Sequence, residues 1–185
     1  MAAYTSRSSL SLRRIAPRGV HVLSRWFADP RILKYYGGKD APLRPEDVRR
    51  KFLRPRRDST RRIREYHACI LERDRVTVGF LQFYRLSGRE AARLGYPSRG
   101  RTFGFDLLVG DPVLWGHGLG TRAVRMTRDF LRQERGADTI VLDPRVENRR
   151  AVRVYQKAGF HKVRRLPAHE LHEGRLKDCW LMKYP

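Results

Sequence analysis

The chain has 185 residues, with 41 Lys and Arg against 19 Asp and Glu, a net charge of +22 with His neutral. That length suits one domain with a sizeable core, and 41% apolar residues with three Trp, eight Tyr and eight Phe exclude a disordered chain. No apolar run approaches the ~20 residues that span a membrane.

Cys69 and Cys179 are too few for a disulfide framework, and neither sits at metal-ligand spacing, which favours a reducing, cytoplasmic setting. The cation surplus would suit a polyanion. Arginines nevertheless run from Arg7 to Arg175 through every kind of segment, with no polybasic tail. Their excess over Lys equally suits background composition.

Met1 to Gly19 is rich in Ser and Arg with no acid before Asp29, a transit-peptide-like composition. It has no continuous apolar core, which excludes a secretory signal. Ser9 to Ile15 alternates as a first strand does, leaving residues 1–9 as a disordered N-terminus of a single domain over 1–185. Pro17 to Ala28 predicts a helix with Val20, Leu23, Trp26 and Phe27 as its apolar stripe. Asp29-Pro30 breaks it, and Arg31 to Tyr36 predicts a short helix ended by Gly37-Gly38. Pro45 to Leu53 is a further helix with Pro45 near its first position, and Arg54 to Arg62 is a basic loop.

Glu65 to Leu71 and Val76 to Leu86 read as paired strands turned by Arg73-Asp74-Arg75. Ser87 to Arg101 is an irregular insert. Thr102 to Val109 is the fourth strand, stopped by Gly110-Asp111-Pro112. Gly118 to Arg135 is amphipathic and helical, Thr139 to Leu142 is a short buried strand, and Asn148 to Ala158 is a second amphipathic helix. Phe160 to Leu166 and Leu176 to Lys183 close the chain as an antiparallel hairpin. Strands alternating with helices in this way give an α/β domain of mixed sheet.

The segment richest in chemistry is Trp115-Gly116-His117-Gly118-Leu119-Gly120-Thr121, between a strand and a helix. Its three glycines allow close backbone approach, and free amides at a helix start favour an anion. It is no Walker A, since no Gly-Lys-Ser/Thr follows, and no first βαβ unit with a ribose-binding acid supports a Rossmann site. A second unit runs from Val141-Leu142-Asp143-Pro144 through Asn148 and Tyr155 to Ala158-Gly159-Phe160.

Together the two units resemble the Gcn5-related N-acetyltransferase (GNAT) superfamily. The resemblance implies a mixed, mostly antiparallel sheet flanked by helices and splayed at its fourth strand. It implies acetyl-CoA as co-substrate, without a metal. Trp115, Gly116, His117, Gly118, Leu119, Gly120 and Thr121 would hold the pyrophosphate, and Asn148 and Tyr155 would flank the pantetheine and thioester. Trp115 departs from the Gln or Arg that usually opens the loop. Gly104 to Gly110, the glycine loop and Asp143-Pro144 further resemble the aminoglycoside 6′-N-acetyltransferases, as do Tyr35-Tyr36-Gly37-Gly38 and Gly79 to Tyr84. Siderophore-lysine acyltransferases share much of the pattern but carry His where this chain has Asp106.

Acetyl transfer needs an oriented thioester, amide donors for its carbonyl oxygen and a base for the ammonium. Backbone at Leu108 and Val109 is the expected donor. Asp106, inside an apolar strand, is the candidate base and acceptor ligand, because a carboxylate there is expensive without a purpose. Tyr155 is the candidate acid to the CoA thiolate. Asp143 is a second ammonium ligand, and Tyr35, Tyr36 and Gln82 line the acceptor side. His169 to Glu173 lacks the HExxH spacing of a zinc site and is expected in a solvated hairpin loop, with Glu170 and Glu173 lending negative charge at the acceptor rim. The resemblance implies the 6′-amine of an aminoglycoside as the acceptor, with another small amine, a peptide amine or a siderophore precursor as the alternative, and a monomer or homodimer is expected. A basic nucleic-acid-binding module is the alternative from another class, and the scatter of the cations argues against it.

Overall fold

The computed structural model describes residues 4–5, 10–53 and 63–185. The disordered N-terminus expected for residues 1–9 lies outside them except at Tyr4–Thr5, and the basic loop of residues 54–62 lies wholly outside. Eight strands make one sheet: β1 (Tyr4–Thr5), β2 (Leu10–Arg14), β3 (Ile63–Arg73), β4 (Val76–Leu86), β5 (Thr102–Val109), β6 (Thr139–Leu142), β7 (His161–His172) and β8 (Arg175–Tyr184). Their order is β1-β2-β3-β4-β5-β6-β8-β7, and every neighbouring pair is antiparallel except β5 and β6.

The β3–β4 turn falls at Asp74 and Arg75, both with positive φ (51° and 65°), the two-residue turn whose twist matches the strands it joins.

The sheet is covered on both faces. On one, α5 (Leu119–Gln133) buries Leu119, Ala123, Val124, Thr127, Phe130 and Leu131. They pack with Phe83, Phe103, Phe105 and Phe160 in the larger core. α6 (Arg149–Lys157) adds Val152 to the same cluster. On the other face α1 (Val20–Trp26), α2 (Pro30–Leu33) and α3 (Pro45–Val48) bring Val20, Leu23, Ile32 and Val48 against Ile70, Phe80 and Leu108.

Several elements depart from the expected boundaries. The first predicted helix divides into a 3-10 turn at Pro17–Gly19 and α1. Asp29 both ends it and starts α2, accepting from the Arg31 amide at 2.8 Å. The helix expected over Pro45 to Leu53 is α-helical only to Val48 and widens into a π turn at Arg49–Leu53. The insert holds a helix, α4 (Gly88–Arg93), capped by Ser87, whose hydroxyl accepts from the Glu90 amide at 3.2 Å. The loop expected before Leu176 is instead paired strand: β7 runs on to His172 past a bulge between Leu166 and Glu170. The turn is Glu173-Gly174 alone, both at positive φ.

The feature that positions the site is the parting of β5 from β6. They pair only from Thr102↔Thr139 to Gly104↔Val141, so the rest of β5 has an open edge.

Candidate active site

A cleft of about 1110 Å³ opens where β5 and β6 part. Its walls include Tyr35, Tyr36, Gln82, Asp106, Leu108, Val109, Trp115, Gly116, Gly118, Gly120, Thr121, Asp143, Asn148 and Tyr155. Two expected residues are not among them. Leu119 turns into the core at 4% exposure, and His117 is exposed outside the lining.

The glycine loop feeds the N-terminus of α5. Gly118 is its N-cap at φ 78°, with no side chain to accept from the first-turn amides. Those N–H groups and the helix dipole therefore remain for an anion. Trp115 has another task than the Gln or Arg it replaces. Its indole Nε1 donates to the Val109 carbonyl at 2.9 Å. The Arg150 guanidinium lies 3.8 Å above its ring and 4.5 Å above Tyr35, joining the loop to the chain after α2.

The alternation of β5 decides which amides face the cleft. The Gly110 amide donates to Val78 on β4, so Leu108, two residues earlier, also directs its backbone to β4. Val109 points the other way, as its bond from Trp115 shows. Of the two expected donors, Val109 has its N–H on the open edge, and Leu108 does not.

Asp106 stands directly opposite Gln82 across β4 and β5. Gln82 Nε2 donates to Asp106 Oδ2 at 2.5 Å, and Tyr66 Oη donates to Gln82 Oε1 at 2.7 Å, which fixes the amide's orientation. Burial pushes the Asp106 carboxyl up to about 7, Asp143 and Glu170 add to the rise, and Gln82 and Lys51 oppose it. Tyr155 lies on the same cleft, and burial, then Asp106 and Asp143, raise its hydroxyl above the ordinary tyrosine value. Asp143 is half-exposed at the mouth, 2.9 Å from His169 Nε2. Among the described residues, no arginine is hydrogen-bonded or ion-paired to either aspartate. Asn148 caps α6, its Oδ1 accepting from the Ala151 amide at 3.1 Å.

On the acceptor side, the Tyr36 hydroxyl is buried with no hydrogen-bond partner among the described residues. Tyr84, which the residue-by-residue reading did not single out, lies across Gly104. A Cβ there would come within 2.6 Å of its ring, so only glycine admits the tyrosine. The segment His169 to Glu173 is not a solvated loop. His172 is 4% exposed and Glu170 binds a buried arginine, Arg145. Neither Arg145 nor Arg150 carries a signal that separates it from the chain's other arginines.

A glycine loop with uncapped helix-start amides, a splayed strand and a desolvated carboxyl sharing one cleft with a desolvated tyrosine are what an acyl-CoA-dependent transferase requires. The pattern of the Acetyltransferase (GNAT) domain family matches residues 17–167. The chain belongs to that family: it is an N-acetyltransferase with acetyl-CoA as co-substrate. It is 27% identical over 157 residues to aminoglycoside N(6′)-acetyltransferase type 1 of Klebsiella pneumoniae and of Serratia marcescens, covering 85% of this chain and 76% of each relative. Its fold is similar to AAC(6′)-Ib in complex with ribostamycin and coenzyme A (TM-score 0.73, 24% identity, 96% of this chain and 93% of that one). It is also similar to spermidine N-acetyltransferase from Vibrio cholerae in complex with CoA and spermine (TM-score 0.75, 17% identity, 95% and 94%).

Proposed function

We propose that this single acetyltransferase domain transfers an acetyl group to a primary amine of a cationic small molecule, foremost the 6′-amine of an aminoglycoside, by direct attack in a ternary complex. The observation that carries this is the placing of Asp106 and Asp143 in one cleft with Tyr155, neither carboxylate tied to an arginine among the described residues. The likeness to the aminoglycoside 6′-acetyltransferases supports the acceptor class.

Acetyl-CoA supplies the activated acetyl group as a thioester. The uncapped amides of α5 hold its diphosphate, and the free edge of Val109 meets the carbonyl oxygen as charge develops there. Asp143 holds the acceptor's ammonium at the mouth. Asp106 takes its proton: a carboxylate near 7 is partly ionised at neutral pH and still basic enough to accept one. The freed amine attacks the thioester carbon and the carbon–sulfur bond breaks. Tyr155, kept protonated by its surroundings, gives the leaving sulfur its hydrogen and regains one, through solvent, from the nitrogen of the new amide. Tyr35, Tyr36 and Gln82 frame the acceptor, and the unpartnered Tyr36 hydroxyl suits a polar atom of an amino sugar.

The test is incubation with acetyl-CoA and kanamycin, ribostamycin or spermidine, reading free thiol and the acetylated position by NMR. Thiol release with acetylation at the 6′-amine is expected. No release with any 6′-amino aminoglycoside would overturn the acceptor assignment.

A further inference from the structure

Arg145 follows Asp143-Pro144 and is 4% exposed, although it is a cation in a loop. Its guanidinium joins three segments around the acceptor mouth. Nη1 donates to Glu170 Oε1 at 2.5 Å and to His172 Nδ1 at 2.9 Å, both on β7. Nη2 donates at 2.9 Å to the carbonyl of Lys34, which immediately follows α2 and precedes Tyr35 and Tyr36. Nε has no hydrogen-bond partner among the described residues, and Glu147 Oε1 lies 3.6 Å from it. A planar fork satisfies β7 and the Lys34 carbonyl in one orientation only, which a flexible ammonium would not impose. A second link lies alongside, where Glu173 Oε1 accepts from the Lys39 amide at 3.1 Å.

We propose that Arg145 is a positioning residue for the acceptor: it fixes the Tyr35-Tyr36 wall against β7 and holds the Glu170 carboxylate in a compensated ion pair at a set place beside Asp106. The electrostatic part rests on reading Asp106 as the base. Asp106 is faced by Gln82 and Tyr84 of β4, Lys51 of the turn after α3, Tyr36 after α2, Asp143 of the loop after β6, Tyr155 of α6 and Glu170 of β7. Of these, Glu170 is the charge that Arg145 holds directly. With the pair intact, Arg145 offsets part of the Glu170 charge that raises the Asp106 carboxyl. Without Arg145, Glu170 presents a full charge, and without Glu170 the guanidinium does.

The test follows the Asp106 carboxyl by NMR titration of protein labelled at its aspartate carboxyl carbons, the signal being assigned with Asp106→Asn. Arg145→Met should move the midpoint up by roughly half a pH unit, and Glu170→Gln should move it down by about as much. The double variant should fall between the two single variants. With kanamycin as acceptor, Arg145→Met should raise the acceptor KM about tenfold while leaving that of acetyl-CoA unchanged. Midpoints that stay fixed in both single variants, or equal rises in the two KM values, would overturn the proposal. The titration needs no acceptor, so it decides the proposal even if kanamycin is not a substrate. Full turnover by Asp106→Asn would remove the base assignment and leave the titration result standing.

Discussion

Asp106 shows how one residue's surroundings set its chemistry. A carboxylate on a strand between Phe105 and Leu107 pays desolvation, and the Gln82 amide donates to it in partial compensation. Its folded value, about 7, lies above the ordinary aspartate value, so the folded state binds the extra proton. Two consequences have opposite sign. On the base assignment proposed above, activity needs the ionised form and should be lost as pH falls through about 7. Stability is fully present below the unfolded value near 3.8 and declines as pH rises towards the folded one. Asp106→Asn should therefore lower kcat by roughly 10²-fold or more and remove the acid limb of the rate profile. Its Tm should exceed the parent's by an amount that grows from about pH 4 to about pH 8. Stopped-time assays and thermal scans across pH check both. A Tm difference independent of pH would show that Asp106 is not the strained group.

That Asp106, Asp143 and Tyr155 line one cleft was expected from a carboxylate inside an apolar strand and from the GNAT resemblance, which sets Asp143 before Pro144 and Tyr155 seven residues after Asn148. Arg145 was not. Its partner at Lys34 is 111 residues away in sequence, and in a chain this rich in arginine one guanidinium looks like another.

At the scale of elements, amphipathic repeats marked α5, α6 and the central strands. Where the sequence reading erred, the physics lay outside periodicity. α4 is too short to show a stripe, although Ser87 and Glu90 stand at the spacing of a capping pair. β7 continues through Pro167 because an edge strand tolerates a bulge that an interior strand would not. The π turn after α3 has no pattern of its own.

The junction of the glycine loop and α5 gives the clearest element-level prediction. Alanine at Gly118 would occupy φ 78°, at a cost of about 1 kcal/mol. Its methyl would enter space where no protein atom lies within 4 Å. If that space belongs to the diphosphate, Gly118→Ala should raise the acetyl-CoA KM about tenfold with a small fall in Tm. The acceptor KM should not move. Isothermal titration with CoA separates this from simple destabilisation, since a lowered Tm with unchanged affinity would show that the loop serves only as a turn.

The whole molecule carries +22, far more than a diphosphate requires. Part of that surplus has structural employment rather than being background. Arg125 and Arg128 donate to the carbonyls of Lys157 and Ala158 at the C-terminus of α6, both at 2.7 Å. Arg132 reaches those of Ala137 and Asp138, and Arg145 that of Lys34. Orphan carbonyls at helix ends and turns are thus satisfied by guanidinium groups.

These arginines leave the long-range field positive, while Asp143 and Asp106 stand at the cleft with no arginine partner among the described residues. Two carboxylates at the acceptor mouth are ion-paired, Glu90 with Arg93 at 2.6 Å and Glu170 with Arg145. A polycationic acceptor is therefore repelled at a distance and attracted only within the cleft, where Asp143 and Asp106 face it. Salt screens the first effect over ~8 Å at physiological strength and reaches the second far less. Acetyl-CoA feels the reverse, since its phosphates are drawn in by the same field. Raising NaCl from about 20 to about 200 mM should lower the kanamycin KM and raise that of acetyl-CoA. A kanamycin KM that rises with salt would mean that the carboxylates of the mouth, rather than the arginine field, govern the acceptor's approach.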